Sequence, residues 1–146
     1  MKKEFKILSI NISLKKGEQK KPIQKAFLRV EHGIVGDAHA ANWHRQISLL
    51  ANEDIETMRG KGIELDFGDF AENITTEGID LSNIPVGTRL HLGEAVVELT
   101  QIGKECHHGC EIFQKVGDCV MPRKGIFVKV IKEGEISSES YCYYHI

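Results

Sequence analysis

Residues Leu8-Ser9-Ile10-Asn11-Ile12-Ser13-Leu14 alternate apolar and polar side chains without a break. A period of two predicts a strand whose Leu8, Ile10, Ile12 and Leu14 share one buried face. Lys15 to Pro22 then reads as a charged turn, and Lys25 to Val30 as a second strand. Gln46 to Leu50 predicts a further strand that leads into a helix. Asn52 is the expected N-cap of that helix, Glu53 and Asp54 suit its first turn, and Gly60-Lys61-Gly62 ends it. Arg89 to Leu92 and Ala95 to Ile102 flank Gly93-Glu94 at hairpin spacing. Gly109 to Val116 has helical spacing, with Ile112, Phe113 and Val116 on one apolar face, and Gly125 to Ile131 predicts a final core strand. The 14 glycines punctuate short apolar runs along the whole chain. Turn signals that frequent predict a mainly β domain, a barrel or sandwich of many short strands with few helices. No repeat, linker or low-complexity tract divides residues 1–146, so one domain is expected.

Composition narrows the class. With 146 residues and 41% hydrophobic side chains the chain can build a core without disulfide staples, which excludes global disorder. Nineteen Lys and Arg against 21 Asp and Glu give a net charge of −2. Bulk attraction to nucleic acid or to an anionic membrane needs a basic surplus, so neither is an expected partner; a local basic pocket remains compatible. No apolar run approaches the length of a membrane span. Met1-Lys2-Lys3-Glu4-Phe5 lacks the apolar region of a signal peptide. A cytoplasmic setting with reduced thiols is the expectation.

In that setting the four cysteines, Cys106, Cys110, Cys119 and Cys142, point to metal or reactive-thiol chemistry. Lys104-Glu105-Cys106-His107-His108-Gly109-Cys110 joins a predicted strand to a predicted helix. A helix N-terminus, a lysine and two imidazoles favour thiolate, the form that attacks sulfur or binds metal, so Cys106 is the candidate nucleophile. A structural zinc site is the competing reading. Cys106 and Cys110 would supply two ligands, with Cys119 or the Cys142 and His145 pair completing four. Gly33-Ile34-Val35-Gly36-Asp37-Ala38-His39 supplies exposed amides in a tight turn, and His39 and Arg45 are candidates to contact a phosphate-like anion. In Gly68-Asp69-Phe70-Ala71-Glu72-Asn73-Ile74, Asn73 is a candidate ligand amide, and Glu72 a partner for Arg45 or a base. Arg123 and Lys124 offer a basic rim. Each of these segments also has a plain structural reading as turn chemistry or solvated charge. Walker, H-E-x-x-H, G-x-S-x-G and dinucleotide-binding fingerprints are absent.

Taken in order, these segments resemble the MOSC domain family, named after the C-terminal domain of molybdenum cofactor sulfurases. The resemblance runs through Gly33 to Ala40, Arg45 to Leu50, Gly68 to Ile74, Gly78 to Leu81, Val86 to Leu90 and Glu98 to Cys106, most of the chain. It implies a closed or partly open β-barrel and a small stand-alone member of bacterial type. It places the family's key cysteine at Cys106, with Asp37, His39, Arg45, Glu72 and Asn73 around it. Lys104 and Arg123 are expected to join Arg45 in neutralising the phosphate of a molybdopterin-type cofactor. The implied chemistry is sulfur transfer: a persulfide on Cys106, received from a pyridoxal phosphate-dependent cysteine desulfurase and passed to the molybdenum cofactor or a molybdoenzyme. One alternative makes Cys106 a molybdenum ligand in a component that reduces N-hydroxylated compounds. A second alternative is a non-enzymatic zinc- or pterin-binding module that uses Cys110 and Cys119. Those extra thiols depart from the pattern of the sulfurase-attached domains.

Overall fold

The computed structural model describes residues 1–62, 64–103 and 124–145. The β-rich expectation holds. Eleven strands are described: β1 (Lys2–Ile12), β2 (Lys21–Ile23), β3 (Lys25–Arg29), β4 (Gly33–Ile34), β5 (Ile47–Ala51), β6 (Ile74–Glu77), β7 (Arg89–Leu92), β8 (Ala95–Ile102), β9 (Ile126–Lys132), β10 (Gly134–Ser137) and β11 (Cys142–His145). The α-helix α1 (Asn52–Arg59) lies between β5 and β6, and a 3₁₀ turn covers Leu81–Asn83.

The large sheet runs β11-β7-β8-β9-β5-β6-β1-β2, and β11 also pairs with β1. That last pairing closes seven strands into a barrel and leaves β2 attached to β1. β1 is long enough to serve three partners. Lys2 to Phe5 faces β11, Lys6 to Ile10 faces β6, and Ile10 to Ile12 faces β2. A small sheet, β10-β3-β4, packs beside the barrel, with Leu28 and Ile136 buried beneath it. β5 and β6 are the parallel pair, and such a pair needs a crossover. α1 supplies it and buries Ile55 and Met58.

Alternation along each strand fills the barrel. In β8, Ala95, Val97 and Leu99 point inward while Val96, Glu98 and Thr100 are half-exposed. Leu49, Ile74, Leu90 and Val128 come from four further strands and are all fully buried. A barrel this narrow is filled by side chains alone, so it has no central pore. The hairpin around Gly93-Glu94 forms as expected, with Leu92 opposite Ala95. Outside it, Glu98 lies 3.8 Å from Arg89 and 3.7 Å from Lys129, exposed pairs that add little stability.

Four local expectations change. β1 starts six residues earlier than the alternation suggested, and its register against β6 shifts between Ile7 and Ser9. The bulge inverts the phase of everything beyond it. Phe5 and Ile7 before it and Ile10 after it are therefore buried, Leu8 and Ile12 are half-buried, and Leu14, two residues past the end of β1, is 78% exposed. The charged turn before β2 ends on a buried residue, Lys20. Asn52 does not cap α1: Ala51 holds that position, and the Asn52 amide oxygen accepts from Arg59 at 3.2 Å. β9 is not the final strand, because β10 and β11 follow it. The expected helix from Gly109 to Val116 lies outside the described residues.

Candidate functional site

Where the first residues of β5, β6 and β9 come side by side lies a cleft of about 160 Å³. Its walls are Lys20, His39, Trp43, Arg45, Gln46, Ser48, Ala71, Asn73 and Phe127. Two cations and an imidazole face it, and among the described residues no carboxylate does.

The loop from β4 to β5 brings four of these residues, His39, Trp43, Arg45 and Gln46. Gly33, at φ +122°, lets it fold tightly, since a Cβ there would sit 2.9 Å from the Gln46 carbonyl oxygen. The Gln46 amide oxygen accepts from the Val130 N–H at 2.8 Å and ties the loop's end to β9. The Arg45 guanidinium lies over the Trp43 ring at 4.6 Å and the Phe127 ring at 5.3 Å. Cation–π contact orients it without neutralising it, and Arg45 has no carboxylate partner among the described residues.

Lys20 enters from the turn before β2. Its side chain is only 3% exposed, and its ammonium donates to Asp37 Oδ1 at 2.8 Å. That oxygen also accepts from the Ser13 N–H at 3.1 Å, so Asp37 clamps the end of β1 and the lysine together. Behind the lysine, Gly68 sits at φ +92°, where a Cβ would approach the Lys20 carbonyl oxygen to 2.8 Å. Gly68→Ala is accordingly expected to cost about 1–3 kcal/mol through left-handed strain and displacement of Lys20. Urea unfolding checks this; a loss under about 0.5 kcal/mol would mean that the contact relaxes freely.

The floor of the cleft is a knot of polar groups across β1, β5 and β6. Asn73 Oδ1 accepts from the Ser48 N–H at 3.0 Å and from its hydroxyl at 3.2 Å. The Asn73 side-chain amide donates to the Asn11 carbonyl at 3.1 Å, and the Asn11 N–H returns a bond to the Asn73 carbonyl at 2.6 Å. Next to it, the fully buried Glu72 carboxylate accepts from Gly68 N–H at 3.0 Å, Phe70 N–H at 3.2 Å and the Thr75 hydroxyl at 2.7 Å. Burial pushes its pKa up, while the Gly68 and Thr75 hydrogen bonds pull it back.

The MOSC domain family model matches residues 35–140, more than two thirds of the chain. The chain belongs to the MOSC domain family. Among solved structures, the YuaD protein of Bacillus subtilis superposes with a TM-score of 0.82 at 18% identity, over 99% of this chain and 97% of that one. YiiM of Geobacillus stearothermophilus gives 0.73 at 19% identity, over 97% of this chain and 75% of that one. YiiM of Escherichia coli gives 0.70 at 17%, over 98% and 70%. At these identities the likeness shows the fold. A comparison with curated proteins finds no match.

Within this MOSC domain the sequence-predicted residues divide into three groups. His39, Arg45 and Asn73 meet at the cleft. Asp37 reaches the cleft only through Lys20, and Glu72 serves its own loop, with no bond to Arg45. Cys106, Cys110, Cys119, Lys104 and Arg123 lie outside the described residues. Cys142 is corrected: it is fully buried in the barrel core, where desolvation pushes its thiol up to about 12, so it does not pair with the exposed His145 as a zinc ligand. Among the described residues no three His, Cys, Asp or Glu side chains converge on a metal-sized site. No helix among them is long and apolar enough to cross a membrane.

Sequence reasoning missed Lys20, Trp43 and Phe127. Lys20 sits in a run of lysines that reads as solvent-facing, and nothing local marks it as the buried one. Trp43 carried a faint signal as the chain's sole tryptophan, two residues before a candidate arginine.

Proposed function

We propose that this MOSC protein is a sulfur carrier of molybdenum cofactor metabolism, with Cys106 as the carrying thiol and the cleft as the seat of the cofactor's phosphate. The observation that supports it most is the wall of Lys20 and Arg45, with no carboxylate among the described residues, beside the last residues of β8. Gln101 in β8 pairs with Phe127 of the cleft wall, and its side chain meets His44 Nε2 at 2.9 Å. Cys106 follows Gly103 by three residues, a tether of at most roughly 11 Å.

The lining fits a phosphate-bearing pterin: two cations for the anion, and aromatic rings with polar side chains around them. In this reading Lys20, Arg45, Lys104 and Arg123 hold the phosphate, while His39 and Asn73 orient the bound molecule. Asp37 fixes Lys20, and Glu72 keeps the Gly68–Asn73 loop in shape. The cofactor, when bound, supplies the molybdenum centre that accepts the sulfur.

The thiol's own step balances without an added oxidant. Cys106 thiolate attacks the outer sulfur of a donor persulfide. A new S–S bond forms on Cys106 as the donor's S–S bond breaks, and the donor departs as thiolate. A pyridoxal phosphate-dependent cysteine desulfurase fits as donor. The test is anaerobic incubation with a desulfurase and radiolabelled cysteine. Wild-type protein is expected to take up label that reductant releases, and Cys106→Ser protein to take up essentially none. Labelling of the variant at the wild-type level would remove Cys106 from the role.

One observation favours a second reading, a molybdenum reductase component acting on N-hydroxylated compounds. A cavity of about 420 Å³, lined in part by Asn42, His44 and Lys129, shares Trp43 and Gln46 with the cleft. It offers room for a substrate beside the cofactor. Cys106 would then be a soft thiolate ligand to molybdenum, with electrons supplied by a partner. Protein purified anaerobically from cofactor-producing cells decides between the readings: stoichiometric molybdenum with reductive turnover favours the reductase, and persulfide without retained metal the carrier.

A further inference from the structure

The outer wall of the barrel carries a groove that shares no lining residue with the cleft. It consists of two adjoining hollows, of about 610 and 720 Å³, that meet at Ser138 and Glu139. One lies over Glu4 and Lys6 and the other over Leu8, so together they follow β1 from Glu4 to Ile10, roughly 20 Å of extended chain. A compact small molecule fills one such hollow; the whole run suits an extended segment of about six residues.

The pairing of β1 leaves its backbone open along this groove. On one side β6 accompanies it from Lys6 to Ile10; on the other, β11 stops at Phe5 and β2 starts at Ile10. From Lys6 to Ser9 that second side has no strand among the described residues. The opening arises because β2 turns away at Gln24 into β3, while β10 returns through residues 138–141 into β11. The bulge falls in the middle of the gap. Register with β6 passes from Ile7 to Ser9, so Leu8 faces a paired residue on neither side. Its half-buried side chain makes an apolar floor beside Pro22, Ile23 and Phe67. An open strand edge presents N–H and C=O groups that an added extended segment satisfies.

The walls set the charge that such a segment carries. Among the described residues, the carboxylates of Glu4, Glu77, Glu135 and Glu139 line the groove against the ammonium groups of Lys6 and Lys25. Glu139 lines both hollows, is exposed, and joins its turn through a backbone N–H that donates to Ser137 Oγ at 3.1 Å. We infer that this groove docks an extended, lysine- or arginine-bearing segment of a partner protein, which pairs its backbone with the open edge of β1 at Lys6 to Ser9. An apolar side chain of that segment rests on Leu8, and its cations face Glu139 and Glu4. The inference is independent of the cofactor reading, since neither Cys106 nor any residue of the cleft takes part.

The experiment titrates an end-blocked, fluorescein-labelled peptide with the full-length protein and reads fluorescence anisotropy. The peptide has six residues: leucine first, lysine third and fifth, threonine elsewhere, so that leucine and lysines share one face. Saturable binding with a Kd below about 100 μM is expected. Replacing the lysines by glutamate, or N-methylating the amides that meet β1, is expected to weaken binding at least about tenfold. Glu139→Lys is expected to weaken the lysine peptide about 3- to 10-fold. Glu18→Lys makes the same change of charge on the exposed turn before β2 and is expected to leave binding unaltered. No saturable binding below about 1 mM overturns the inference, and so does equal weakening by the two charge reversals, which reads net charge alone. Undiminished binding of the methylated peptide removes the edge pairing and the inference with it. Self-association that Glu139→Lys abolishes, in a protein that binds no peptide, overturns it by giving the groove to a second copy.

Discussion

Asp37→Ala is expected to destabilise the protein by about 3–5 kcal/mol, the range for breaking one side of a buried ion pair. The Lys20 ammonium would be left inside the fold with no counter-charge, since Asp37 is the acceptor it bonds at 2.8 Å. The same substitution strips the Ser13 N–H of its acceptor at the end of β1. Asp37→Asn keeps that second bond and loses only the charge, so it is expected to fall between alanine and wild type. Equilibrium urea unfolding of the three proteins at neutral pH measures the series. A loss below about 1 kcal/mol for Asp37→Ala would show that the ammonium escapes to solvent, and that Lys20 is not locked at the cleft. The pair's net worth against a hydrophobic replacement is a different quantity and can be close to zero.

The second large effect is alkaline. The Cys142 thiol is pushed up to about 12 from 9.0 because the barrel core desolvates its thiolate, only partly offset by the Gly93 N–H. In the unfolded chain this thiol ionises near its ordinary value, while the folded protein keeps it protonated. Its raised folded value therefore contributes stability that is fully present below about pH 9 and lost as pH rises towards about 12. Three pKa units correspond to about 4 kcal/mol at most, taken as an order of magnitude. Lysines and tyrosines titrate in the same window, so the measurement is a difference. Unfolding free energies of wild type and Cys142→Ala are compared across that range. Wild type is expected to lose stability more steeply, even though alanine lowers the baseline by leaving a small cavity. Equal slopes would mean that Cys142 ionises in place without exposing the core.

Both effects originate in residues whose importance was only partly visible in sequence. The alternation at Leu8–Leu14 located β1, but a bulge between Ile7 and Ser9 put Phe5 and Ile7 inward before it and Ile10 inward after it, and the strand ended at Ile12 before Leu14. A bulge is set by how two strands pair, and β1 pairs with β6, more than sixty residues away. Lys20 was indistinguishable from Lys15, Lys16 and Lys21 until β1 and Asp37 folded around it. Cys142 read as one member of a cysteine set. Pairing of its strand with β7 and β1 turns it into a core residue that closes the barrel.

Sequence by itself determined the β-rich class, the hairpin at Gly93-Glu94, the helix after β5 and the family, because each is written in local spacing: glycines at turns, period-two apolar positions and ordered short motifs. It also brought out His39, Arg45 and Asn73, since loop polar residues flanked by glycines carry a local signal. Tertiary structure alone decided the barrel's closure through β11, the burial of Lys20 against Asp37, and the stacking of Arg45 between Trp43 and Phe127. Those depend on desolvation and on partners distant in the chain. A side chain's charge is fixed by its identity, but whether water or a counter-ion answers that charge is settled only when the chain closes around it.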